Sequence, residues 1–182
     1  VTKDILACNF FGLFDLPVTY DVDLNKVQKR YMELQKQVHP DKYANGSDLE
    51  KRMSMQRTSR INEAQTTLKD DVLRATYLLN LKGTDINLEN ETTMDMDFLM
   101  HQLAMRERLE NIEKESDPLS ALDSMAKEIK ALTAEMKQGF SKSYNADEIE
   151  QAREWIRKLQ FMQKAKKEIN TRTADLEDEL MS

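Results

Sequence analysis

Apolar residues recur along this chain at steps of three and four, in separate runs that predict separate helices. From Asp23, a residue type suited to capping a helix N-terminus, Leu24, Val27, Tyr31, Leu34 and Val38 fall on one stripe. The helix must stop near His39, because Pro40 has no amide proton and disfavours helical geometry in the residue before it. After the turn-like Asn45-Gly46-Ser47, a second run follows in Leu49, Met53, Ile61, Ala64 and Leu68. Two helices joined by an exposed loop are most simply an antiparallel hairpin. The short apolar segment Phe10, Phe11, Leu13, Phe14 and Leu16, closed by Pro17, is expected to cover one side of that hairpin, and Val72 to Leu81 another. The first domain is thus expected over residues 1–82.

Residues 83–93 are acids, amides and threonines without an apolar stripe and read as a linker. Three further stretches follow. Phe98, Met105, Leu109 and Ile112 mark the seam of the first, and Leu122, Met125, Ile129, Leu132, Met136 and Phe140 that of the second. Trp155, Leu159, Met162, Ile169, Leu176 and Leu180 mark the third. Asp117-Pro118 supplies a cap and a helix-starting proline between the first two, and Ser143 to Asp147 is expected to separate the last two. A three-helix bundle over 94–182 completes an all-α chain of two modules.

Composition agrees with that class. Hydrophobic residues make up 40%, enough for a core, while 33% charged residues with only four Gly and three Pro favour helices on short connections. The net charge of −6 is unevenly placed: residues 1–82 hold 13 Lys/Arg against 11 Asp/Glu, and residues 83–182 hold 14 against 22. A slightly basic module followed by an acidic one predicts different partners for the two and argues against general nucleic-acid binding, which needs a strong positive field. The single Cys8 excludes an internal disulfide or a Cys-based zinc site and is expected to be a small buried thiol. No apolar run approaches the roughly 18 residues of a membrane span, and the residues before Phe10 are too few for a signal or transit peptide. Val1 is an unusual start, consistent with removal of earlier residues. A reducing, cytoplasmic setting without membrane or nucleic-acid partners is expected, with no cofactor and no metal.

The loop between the two helices of the hairpin carries His39-Pro40-Asp41-Lys42. Proline restricts the loop, the short carboxylate projects from it, and histidine contributes a ring and hydrogen bonds, a combination suited to recognition. The same residues read equally as a cap that closes the helix end. In this frame the sequence resembles a J domain: Tyr31 to Val38 matches the end of its second helix, Ile61-Asn62-Glu63-Ala64 and Leu68-Lys69-Asp70 the end of its third, and Arg74-Ala75 and Tyr77 the start of its fourth. Asp71 departs from a proline common there, at a helix start. The resemblance implies that His39, Pro40 and Asp41 engage a DnaK-type ATPase, with Asp41 meeting an arginine near that partner's linker. Lys26, Lys29, Arg30 and Lys36 decorate the preceding helix and are expected to attract an acidic patch, as the partner-facing surface of J domains does by resemblance; the same charges also read as a plain solvated face, which needs no special function.

The chain lacks the Gly/Phe-rich segment and paired cysteines of general DnaJ proteins. In length and order it resembles the HscB family, J-type co-chaperones of bacterial iron-sulfur cluster assembly. Phe98-Leu99-Met100, Gln102-Leu103, Arg106-Glu107 and Arg157-Lys158-Leu159-Gln160-Phe161 are its most specific words. Periodicity independently singles out Leu99, Met100 and Leu103 as an apolar group beside the seam, and Phe161 as an aromatic rotated roughly 120° away from its own seam. Core packing and an exposed anchor are both open for these residues. By resemblance, Leu99, Met100, Leu103, Glu107 and Phe161 contact an IscU-like iron-sulfur scaffold, which the chain delivers to an HscA-like chaperone while stimulating its ATPase. Ala104 and Asn111 stand where carboxylates are often found in the family. The alternatives are a general J-domain holdase for unfolded clients, an acid/base or metal enzyme built on His39 and Asp41, and a structural coiled coil. The enzyme reading is weak because His101 is the only other histidine, and the short, interrupted helices disfavour the coiled coil.

Overall fold

A computed structural model describes residues 4–182. The described residues contain helices and turns with no strand, and the chain divides at Thr84/Asp85 into two compact units.

In the first unit, α1 (Phe10–Leu13) precedes α2 (Leu24–Val38), a 3-10 turn (Pro40–Tyr43), α3 (Asp48–Lys69) and α4 (Asp71–Leu81). Side chains cap each start: Asn9 accepts from the Gly12 amide, Asp23 from Asn25, and Asp70 from Val72 and Leu73. Ser47 and Glu50 form a reciprocal capping box on α3. Phe11, Leu13, Phe14, Val27, Leu34, Ile61, Ala64, Leu68, Leu78 and Leu79 meet in the core. The expected stripes are not buried to their ends. Leu24, the first residue of α2, is 49% exposed, and Leu49 is 59% exposed because the first three turns of α3 bury only Ser54. Tyr31 is half-buried and directs its hydroxyl across the hairpin to Asn62 of α3. Cys8 is half-buried rather than buried.

A buried guanidinium joins the segment between α1 and α2 to the junction of α3 and α4. Arg74, 3% exposed, donates to the carbonyls of Tyr20 (2.7 Å) and Leu68 (2.8 Å) and to the Asp71 carboxylate (2.9 Å), and lies 4.5 Å over the Tyr20 ring. A buried charge is tolerable when its donors are satisfied in this way. Asp71, the departure from proline, therefore also supplies the counter-charge. The Tyr20 hydroxyl donates to the Asp71 carbonyl at 3.0 Å, and burial pushes that phenol far above its ordinary value.

The second unit holds α5 (Met96–Glu110), a 3-10 turn (Ile112–Lys114), α6 (Pro118–Asn145) and α7 (Ile149–Met181). Asp95 caps α5, and Asp117 caps α6 with Pro118 in its first turn. α6 runs past the expected break at Ser143: Ser143 and Tyr144 are buried helical residues, with Tyr144 stacked on Phe140 at 5.9 Å. The reversal is confined to Ala146–Glu148, where Asp147 takes a left-handed φ of 60°. The two long helices approach closely because Gly139 has no Cβ; one placed there would lie 2.5 Å from Trp155. Leu122, Met125, Ile129, Met136, Phe140, Ile156, Leu159, Met162 and Ile169 form the seam, which α5 covers with Phe98, Met105 and Leu109. Leu132, Trp155 and Leu176 are half-buried, and Leu180 is exposed beyond the packed part of α7.

The stretch read as a linker is irregular in backbone but not slack. From residue 85 it belongs to the second unit, where Ile86 and Thr93 are buried and the Gln160 side chain donates to the Leu88 carbonyl at 3.1 Å.

Candidate functional site

Two surfaces carry the residues singled out above, one in each unit. In the first, α2 ends as Pro40 requires, and the His39 amide makes the last helical bond to Gln35 (2.9 Å). The loop is then tied down from beneath. The Val38 carbonyl accepts the buried Ser54 hydroxyl at 2.6 Å and Thr58 at 3.4 Å, joining the end of α2 to α3. Farther back, Asn62 Oδ1 accepts from both the Tyr31 hydroxyl and Gln35 Nε2 at 2.8 Å. The Ile61-Asn62-Glu63-Ala64 word thus works partly as the clasp of the hairpin.

On this base the tripeptide splits into two roles. His39 Nδ1 accepts the Asp41 amide at 3.2 Å and lies 3.5 Å from its carboxylate, so the histidine does cap the turn. The acceptor role of Nδ1 puts the proton of the neutral ring on Nε2. The Asp41 side chain is 93% exposed. A carboxylate held on a pinned turn and left in water is available to an external cation.

The basic residues of α2 also divide. Lys26, Lys29 and Lys36 are exposed. Arg30, with a side chain 21% exposed, is engaged within its own unit: Nε lies 3.3 Å from Asp15 and 3.4 Å from the Leu13 carbonyl, and Nη1 3.3 Å from Glu33. It fastens the end of α1 to α2 before it can serve any partner.

In the second unit, α5 turns Phe98, Met105 and Leu109 inward and leaves Met100 62% and Leu103 50% exposed; Glu107 is exposed and Leu99 half-buried. The apolar group beside the seam is therefore mostly outside the core. Met96, 68% exposed, extends it by one turn at a spacing of four before Met100, a periodic cue that sequence reasoning passed over because the seam began at Phe98. Ala104 and Asn111 lie on the outer surface; the Asn111 amide is used locally, donating to the Glu107 carbonyl (2.9 Å) and accepting from Lys114 (2.8 Å).

Phe161 is half-buried, its ring edge-on to Phe98 with centroids 5.7 Å apart. The residues before it explain why it sits there. Lys158 reaches Asp95, the cap of α5, at 2.8 Å and lies 5.5 Å over the Phe98 ring and 5.2 Å over Trp155. Glu91, with a side chain 4% exposed, accepts from Arg153 (2.6 Å) and Arg157 (2.8 Å). The Arg153 hydrogen bond, helped by Arg157 against the cost of burial, holds the Glu91 carboxyl below the ordinary glutamate range; the Lys158 hydrogen bond does the same for Asp95. Arg157 also bonds Glu154 (2.8 Å), which accepts the Thr93 hydroxyl. Most of Arg157-Lys158-Leu159-Gln160-Phe161 therefore seats α5 and its approach segment, and only Phe161 offers a ring beside the exposed face.

His101 Nε2 in α5 is buried and has no hydrogen-bond partner among the described residues. Among the described residues, no group of three or more His, Cys, Asp or Glu side chains stands close enough to hold a metal ion, and no helix is long and apolar enough to cross a membrane.

Each of the two units matches a known family. The DnaJ domain family matches residues 15–77, and the HSCB C-terminal oligomerisation domain family matches residues 94–170. The co-chaperone protein HscB homolog of Shewanella halifaxensis is 45% identical over 171 residues, 92% of this chain and 97% of that protein. Chaperone HscB from Vibrio cholerae superposes with a TM-score of 0.84 at 34% identity, covering 95% of this chain and 99% of that one. Human co-chaperone HscB gives 0.83 at 28% identity, covering 94% and 84%.

Proposed function

The chain belongs to the HscB family of J-domain co-chaperones, and on that premise we propose that it binds an IscU-like iron-sulfur scaffold through its second unit, delivers it to an HscA-like, DnaK-type chaperone and stimulates that chaperone's ATPase through its first. The setting is the bacterial cytoplasm. The observation that carries the ATPase-directed half is the Asp41 carboxylate, 93% exposed on a turn fastened through Ser54 and Val38. Such preorganisation lowers the ordering cost of recognition. In the J-domain resemblance its counterpart is an arginine near the partner's linker, and the exposed Lys26 and Lys29 steer the encounter toward an acidic patch. The chain contributes no chemistry of its own. It changes when the partner hydrolyses ATP and which client is present when it does so.

The scaffold-directed half rests on the exposed Met100 and Leu103 face, with Leu99, Glu107 and Phe161 beside it. Flexible methionines also suit broader apolar clients, which keeps a general holdase as the second reading. Single-turnover ATP hydrolysis by the DnaK-type partner, measured with this chain, the scaffold and both together, tests the proposal. Stimulation by the chain, increased further by scaffold, is the expected result. Stimulation that an extended apolar peptide raises as well as the scaffold does favours the holdase, and no stimulation in any combination rejects both.

A further inference from the structure

Beside the exposed face of α5, the second unit contains a groove of about 230 Å³ between α5, α6 and α7. Its apolar wall is Met105, Leu109, Met125, Ala165 and Ile169, with the Phe161 ring in the same lining. Four of these are core residues, between 1% and 5% exposed. The opening therefore reaches the bundle interior and is more than surface corrugation. Ala165 explains it: on α7 it lies four residues after Phe161 and four before Ile169, on the line that faces α5, and its single methyl leaves unfilled the space a larger side chain would take. A space of this size with an apolar lining offers few partners to ordered water.

The polar part of the lining indicates what suits the groove. Arg106, Lys164 and Glu168 contribute to it, and among the described residues the side chains of the two cations take part in no ion pair or hydrogen bond, although the unit as a whole carries excess acid. An apolar side chain filling the groove, with a carboxylate next to it on the same segment, would satisfy both the wall and the cations. Building on the scaffold-binding reading above, we propose that this groove receives an apolar side chain of the scaffold protein, from a segment that also presents a carboxylate to Arg106 and Lys164. Phe161 lines the groove and packs on Phe98 of α5, the helix that carries Met100 and Leu103, so one partner is proposed to cover both. The scaffold contact is then a socket with a flanking apolar ridge, and its specificity lies in an apolar-acidic pair.

The test needs no substitution at first. The full chain, labelled with 13C at its methionine methyls, is titrated with metal-free scaffold protein. Met105 and Met125 line the groove and Met100 the ridge, and all three resonances are expected to shift. A titration that moves Met100 alone overturns the groove and keeps the scaffold contact; one that moves none of the three overturns both. Affinities then separate the parts. Ala165→Leu, which fills the groove, and Lys164→Glu, which reverses a lip charge, should each weaken scaffold binding about tenfold. The same charge change at Lys130, an exposed α6 residue outside the groove, should leave binding unchanged. Native affinity in Ala165→Leu and Lys164→Glu, alongside weakened binding by Phe161→Ala, rejects the groove alone.

Discussion

Lys158 and Asp95 form a 2.8 Å ion pair that ties the middle of α7 to the cap of α5, and the same ammonium lies over the Phe98 ring on which Phe161 rests edge-on. The client face is thus assembled from two helices whose registration depends on residues outside it. Lys158→Met, which keeps the stem and removes the charge, is expected to weaken scaffold binding several-fold with helix content retained, and Lys158→Arg to restore most of it. Loss of binding by Lys158→Arg equal to that of Lys158→Met would argue against registration through the charge.

Asp41→Asn is expected to abolish most ATPase stimulation at saturating concentration while leaving helix content and scaffold affinity unchanged. The side chain is exposed, so its own amide substitution disturbs no core. Equal stimulation by mutant and native chains would refute the assignment.

The basic helix offers a graded experiment. Lys26→Ala with Lys29→Ala should reduce association with the ATPase partner more at low salt than at high salt, since exposed charges are screened over about 10 Å at 0.1 M. Arg30→Ala should additionally lower the melting temperature, because it releases Asp15 and the Leu13 carbonyl. A pure salt-dependent binding defect with unchanged melting in Arg30→Ala would show that its internal contacts contribute nothing.

Truncating the client face separates anchors from core. Met100→Ala and Leu103→Ala should each cost about 1–3 kcal/mol of scaffold affinity with little change in melting, as exposed hot-spot side chains do. Phe161→Ala should lower both, because its ring also packs on Phe98. Binding and melting are read together by titration calorimetry and thermal denaturation; native affinity in the folded Met100 and Leu103 variants rejects the surface.

Acid should loosen the approach to α5. The folded Glu91 carboxyl titrates below its ordinary value of 4.5, so its stabilising contribution is fully present above that value and is lost as pH falls through the lowered one. Denaturant unfolding followed through the single tryptophan, Trp155, should show native stability of the second unit decreasing with acid below pH 4.5, and Glu91→Gln should be less stable at neutral pH with a flatter acid limb. Parallel acid limbs in the two proteins would remove Glu91 from the account.

By itself the sequence determined the class, the order of the elements and the recognition loop. Helical periodicity, Asp23 and Asp117 as caps, Pro40 as a stop and the His39-Pro40-Asp41 frame are local properties, set by residues a few positions apart. Local rules do not say how far a stripe is covered, and that was left to tertiary packing. Leu24 and Leu49 obey the same spacing as Val27 and Ile61 but lie where no helix covers them. The end of α6 at Asn145 was likewise decided by burial of Ser143 and Tyr144, which outweighed their turn-forming company. For the client face, spacing marked Met100, Leu103 and Phe161 as off-seam and left exposure open; α5 had to be docked before Met100 and Leu103 emerged outside. The docking itself depends on Glu91 reaching Arg153 and Arg157, partners 62 and 66 residues away, in a stretch whose composition reads as a linker. Ion pairs of that sequence separation leave no periodic trace, because they are specified by where two helices meet in space and by the water their contact excludes.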